Sequence, residues 1–273
     1  MKRRSFIGGI GLGIGAALST SGVSFSRDDP YSQLTEPNWQ QRPVYFPPEA
    51  RIPTLSEIRA DALAHTGPGA PLALEVDLAI ELLFDIPTEG RPFDIAYRFL
   101  EWRRGEVGTS EVERTRRKYY SREWPRRGNP VIMQFFDATG YRHPAGDTTF
   151  WCAAFVSWCI ARSVGGPTSV NNPWPYEKGA ASRSYRAWGQ DVIADLNDSP
   201  RRGDVAVFQN TAKPDQGHVG FVERVSADHI WLLGGNQGAQ NEYNGGEVNI
   251  ARYSRSVGGS LRFHSFRRHE VLG

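Results

Sequence analysis

Residues 148–166 read TTFWCAAFVSWCIARSVGG and hold both cysteines of the 273-residue chain. Cys152, Phe155, Val156, Cys159 and Ile160 recur at i, i+3, i+4, i+7 and i+8, which predicts one apolar stripe of an amphipathic helix. Thr148 or Thr149 can cap its start, and Arg162 followed by Gly165-Gly166-Pro167 marks its end. Seven helical residues rise about 10.5 Å, whereas a disulfide needs α-carbons within about 7 Å. The two thiols therefore cannot bond to each other while the helix exists. In the first turn, free N–H groups and the helix dipole favour a thiolate at Cys152; Cys159 lies beyond that effect. Two readings follow. Either Cys152 is a nucleophile and Cys159 a packing residue, or both belong to the core.

A cysteine nucleophile needs a base that takes its proton and returns it to a leaving group. Of the six histidines (65, 143, 218, 229, 264 and 269), His218 opens an apolar strand, GHVGFVERV, after a tight turn. Gly220 on the same face leaves room for an imidazole. His143 is the second choice. If the following hairpin closes on an odd loop centred on Ala227, Asn236 lies opposite His218 and can accept its Nδ1 proton. An even loop puts Gln237 there instead. No H-x-x-x-H or H-E-x-x-H spacing occurs, which disfavours a metal-dependent hydrolase; neither metal nor cofactor is expected.

The chain begins MKRRSFIGGIGLGIGAALSTSG, a basic start followed by an apolar run too short to span a bilayer. Arg3-Arg4 and Ser5-Phe6-Ile7 resemble a twin-arginine export signal, with a Sec signal or short anchor as alternatives. Export makes the protein periplasmic or extracellular, touching a membrane only through this segment. Losing residues 1–19 removes Lys2, Arg3 and Arg4 and takes the formal charge from +2 to −1. A near-neutral chain argues against a nucleic-acid partner. Residues 27–54 read as a Pro-rich linker and 55–127 as helical. The basic stretch 98–127 reads as a solvated face, or as a surface for an anionic polymer. Past Pro130 come a helix, the cysteine helix, a Pro/Trp loop and five strand-like runs with short turns. That order predicts α+β with an antiparallel sheet.

WCAAFVSW, PRRGDVAVF, GHVGFVERV and LLGGNQ, in that order, resemble the CHAP group (cysteine, histidine-dependent amidohydrolase/peptidase), related to NlpC-type peptidases. The likeness covers about residues 128–266. It implies a papain-like α+β core, a nucleophile helix on an antiparallel sheet, spanning 128–273 beyond the helical region. It also implies hydrolysis of peptidoglycan amide bonds by Cys152, His218 and Asn236. Many such proteins carry Glu two positions before the Asn; here that place is Gly234. Trp151, Trp174 and Trp188 are candidates to line a substrate groove, with core packing as the alternative. A non-catalytic wall- or protein-binding module on the same fold is the rival reading.

Overall fold

The computed structural model describes residues 73–124, 129–141, 147, 149–165, 173–175, 179–238 and 246–273. The expected export signal, the linker, the helical pattern at 55–66, His65, His143 and Thr148 lie outside the described residues. Helices come first: α1 (Ala73–Phe84), α2 (Pro92–Arg104), α3 (Glu111–Tyr120), α4 (Pro130–Phe135) and the cysteine helix α5 (Cys152–Ser163). A 3-10 turn at Ser182–Ala187 leads into β1 (Gln190–Asp191), β2 (Val205–Asn210), β3 (Gly217–Val225) and β4 (His229–Gly238). Then follow β5 (Gly246–Ser254), β6 (Val257–Gly258) and β7 (Leu261–Arg268). All pairings are antiparallel, in the order β1-β7-β2-β3-β4-β5 with β6 on β7. The chain is α+β. Among the described residues no helix is long and apolar enough to cross a membrane.

The cysteine helix differs from its expected amphipathic form. Every residue from Cys152 to Ala161 is buried, because α2 covers the side that the sheet leaves open. Phe99 of α2 sits edge-on to Phe135, Phe155 and Trp158 at 5.2, 5.6 and 5.5 Å. Aromatic rings prefer such contacts, positive edge against negative face. Pro92 at the start of α2 and a left-handed Gly105 at its end delimit that helix. Arg162, at the end of α5, donates to the carbonyls of Leu83 and Ile86 and so ties down the end of α1. Helices and sheet share one apolar core.

A second cluster fills the other sheet face: Val192, Ala206, Phe208, Val222, Ile230, Leu232 and Phe266. The sheet curls around it. Tyr253 of β5, three strands from β2 in the hydrogen-bonded order, reaches Phe208 with ring centroids 4.9 Å apart.

Several arginines of the basic stretch are paired. Arg98 pairs with Glu101, Arg114 with Glu111, and the buried Arg117 with both Asp85 and Glu113. Arg103 crosses to Glu247 on β5. The charge run is thus partly an internal ion-pair network.

Candidate active site

Cys152 is the first residue of α5, with Trp151 as N-cap and no side-chain bond at that cap. The cap position falls to Trp151, two residues after Thr149. With its amide oriented so that both atoms are satisfied, Asn236 of β4 accepts the Trp151 N–H.

The site is built where β3 and β4 part. Their ladder runs from the turn as far as Phe221↔Leu233 and stops, so residues 217–220 have no β4 partner. The start of α5 fills the opening. A Cβ at Gly235 would collide with the Trp151 indole and Phe155, so only glycine lets the helix come so close. The Val219 N–H, which an unbroken ladder would have used, faces the Cys152 thiol and pulls its pKa down. His218 is the residue before it. In β3, Val219 and Phe221 face the helices, while His218 lies on the other side, stacked on Tyr253 at 5.3 Å.

Gln237, not Asn236, meets the histidine. His218 Nε2 lies 3.3 Å from Gln237 Oε1. The loop is even, closed by Val225↔Ile230 and Arg224↔Trp231, while beyond it Phe221↔Leu233 and Val222↔Leu232 share the index sum of the 218/236 pair. Two irregularities change the outcome. A bulge between Val222 and Arg224 absorbs the even loop at the turn. A second, between Gly234 and Gln237, puts Asn236 in the left-handed region at φ 54°. Asn236 then turns away from His218. In the amide orientation that satisfies both of its atoms, it donates to Glu123 Oε1 and accepts from the Trp151 N–H, each at 3.2 Å. The Gln237 amide occupies the space above Gly234, where a Cβ would meet it at 3.3 Å.

The Gln237 amide has only one polarity. Its Nε2 faces the carbonyls of Leu232, Gly234 and Asn249 and the Asn249 Oδ1, all acceptors. Its Oε1 therefore faces His218 and also accepts from the Tyr253 hydroxyl at 3.0 Å. An oxygen can only accept, so His218 Nε2 carries the proton and Nδ1 is left as the basic nitrogen. The nitrogen assigned to the third residue from sequence was Nδ1; the structure uses Nε2.

Both central groups are neutral as they stand. Burial pushes the Cys152 thiol up to about 11, against the N–H groups of Val219, Ala153 and Cys152 itself, which pull it down. Burial brings His218 down to about 4, and its bond to Gln237 pulls the other way. The helix start does not outweigh desolvation. In a Cys159→Ala background, iodoacetamide should alkylate Cys152 slowly at neutral pH. The rate should climb about tenfold per pH unit toward pH 11, because only the thiolate reacts. A rate already level from pH 6 to 8 would show a preformed thiolate.

Behind the thiol lies a buried acidic pair. Glu123 Oε1 accepts from the Trp151 indole N–H at 2.9 Å, and Asp147 Oδ2 accepts from the N–H groups of Trp124 and Asn129. Burial raises Glu123 to about 7, and burial together with the neighbouring Glu123 raises Asp147. Sequence reasoning missed Glu123; nothing marks an acid in a basic stretch as buried.

The three tryptophans proposed to line a groove are internal. Trp151 bonds Glu123, Trp174 donates to the Ala138 carbonyl, and Trp188 donates to Pro173 and stacks on His269. None presents a ring face to a polymer. Phe150, two residues before Cys152, is by contrast 67% exposed. Among the described residues no group of three or more His, Cys, Asp or Glu is arranged to hold a metal ion.

The model of the CHAP domain matches residues 143–236, a stretch that contains Cys152, His218 and Asn236 and ends one residue before Gln237. No curated protein and no solved structure matches the chain. With the ordered motifs and the cysteine helix seated on an antiparallel sheet, the family match gives the chain a CHAP-like domain.

Proposed function

We propose that the protein is an exported cysteine amidohydrolase or peptidase that cuts amide bonds of peptidoglycan on a papain-like core. One observation carries the reading. The Val219 N–H that faces the Cys152 thiol belongs to the residue after His218, whose ring is held by Gln237 through Nε2, which makes Nδ1 the basic nitrogen. Starting from the neutral pair, Nδ1 takes the thiol proton as sulfur attacks the carbonyl carbon. N–H groups at the start of α5 stabilise the oxyanion; losing one such donor costs about 10²–10³ in rate. The imidazolium then protonates the departing amine, leaving a thioester. Water adds to it, giving one proton to His218, and the thiol leaves with that proton as the acid is released.

The third role passes from Asn236 to Gln237. Gln237→Ala should lower kcat about 10²-fold. Asn236→Ala should cost about 1 kcal/mol of stability through its lost bonds to Glu123 and Trp151, and less of the rate. Kinetics and urea unfolding of the two variants separate these effects; a larger kcat loss at Asn236 would return the role to it.

The test of the function is digestion of purified cell-wall sacculi, with mass spectrometry of the released material. Soluble fragments carrying one new amine and one new carboxylate support hydrolysis, and the masses identify the bond. Intact sacculi after incubation with folded protein would refute it. The deep burial of both Cys152 and His218 favours the rival reading, a wall-binding module without turnover. Sedimentation of the protein with uncut sacculi would be its signature.

A further inference from the structure

We propose that Arg183, Arg186 and Arg262 form a subsite for a carboxylate of the substrate, beside the opening that holds Cys152. This rests on the hydrolase reading and names its substrate class: a peptide bearing a free carboxylate near the bond that is cut.

The three arginines come from two elements that meet at the loop leading into His218. Arg262 on β7 lies directly opposite Gln209 on β2 and donates to its Oε1 from Nε and Nη2 at 3.1 and 2.6 Å. Gln209 in turn donates to the Pro214 carbonyl. Arg186, on the 3-10 turn, donates to the carbonyls of Pro214 and Gln216, the latter two residues before His218. Arg183 pairs with Asp215 of the same loop.

Sheet alternation gives the side on which they stand. Gln209 shares the face of Val205 and Val207, which belong to the core under the cysteine helix, and Arg262 shares that face with it. The 3-10 turn packs on the same face, with Tyr185 hydroxyl 2.7 Å from Ser157 of α5. In the β2–β3 ladder, Gln209↔Gly217 lies two steps beyond Val207↔Val219, and the Val219 N–H faces the thiol. The arginines therefore stand past the nucleophile at the same end of the sheet.

Among the described residues their charge is not balanced locally. Asp215 is the acidic partner that Arg183 and Arg186 feel, and the contacts of Arg186 and Arg262 are otherwise neutral oxygens. The Arg186 Nε is buried without a partner. Burial holds the Arg186 guanidinium below the ordinary arginine value; Asp215 opposes this, and Arg183 and Arg262 add to it. Exposed His264, next but one to Arg262, is likewise lowered, by burial first and then by Arg186 and Arg267. Like charges kept together at a cost, next to a nucleophile, suit an incoming anion.

The test compares two soluble wall peptides that differ only in free or amidated carboxylates. Binding is measured by calorimetry on Cys152→Ala, and kinetics on the active chain. The free acid should bind about tenfold or more tightly, and that preference should shrink with added salt. Arg262→Gln and Arg183→Gln should raise KM for the free acid toward that of the amide, with kcat little changed. Equal affinity for both peptides in the unsubstituted arginine background overturns the subsite, whether or not the variants fold. A preserved preference in both variants also overturns it. Preferential binding without turnover keeps the subsite and removes the hydrolase; turnover without preference does the reverse.

Discussion

Cys152→Ala should abolish release of fragments from sacculi, a fall of about 10⁴-fold or more, as expected when a nucleophile is removed. Cys159→Ala should retain most of the rate and lose about 1 kcal/mol of stability. The two thiols share a helix, an element type and near-complete burial. They differ in what they touch. Cys152 opens the helix and has the Val219 N–H pulling its pKa down against burial, whereas burial alone accounts for the raised Cys159 thiol. Alanine at 152 keeps the Cβ and the helix start, so urea midpoints of the two variants should lie close together. Activity surviving in folded Cys152→Ala, or lost equally in folded Cys159→Ala, would remove Cys152 from the chemistry.

Glu123→Gln should make the protein more stable above pH 7, by about 3 kcal/mol. Burial raises the Glu123 carboxyl from 4.5 to about 7, with the Trp151 indole, the Gly246 N–H and Arg122 pulling against it. Between those values the folded chain keeps a proton that the unfolded chain has given up. The stabilising contribution is therefore complete below pH 4.5 and lost as pH rises through about 7. The adjacent Asp147 carboxyl is raised as well and acts with the same sign. A glutamine amide oxygen can still accept from Trp151 and Asn236 while carrying no charge, so the fall should flatten in the variant. Urea unfolding from pH 4 to 9 reads this directly; matching slopes for both proteins would show that Glu123 does not hold its proton.

Much of the sheet was legible in the sequence because alternation and turn residues are local signals. The run GHVGFVERV is β3 from end to end, and HIWLLGGNQ is β4 short of its last residue. The two residues proposed as nucleophile and base, Cys152 and His218, lie where the sheet opens. The partner of His218 is Gln237, the alternative that an even loop left open beside Asn236, reached through a bulge that strict pairing does not foresee. The signal was present in Gly234-Gly235-Asn236: two glycines within a strand mark a bulge, and asparagine tolerates positive φ. The tryptophans were harder. An indole beside a nucleophile reads the same whether it faces solvent or core, and only the position of Glu123 and of the Ala138 and Pro173 carbonyls decides. The second face of α5 was hidden for a similar reason, because nothing within TTFWCAAFVSWCIARSVGG announces that Phe99 will cover it.

That shared interior sets a limit on how the molecule can be trimmed. A fragment cut to residues 143–236 would strip Phe155 and Trp158 of Phe99, and would leave β2 without β7 and β4 without β5. Two raw strand edges and a bared aromatic surface are a recipe for precipitation. Expression boundaries therefore have to enclose α2 on one side and β7 on the other.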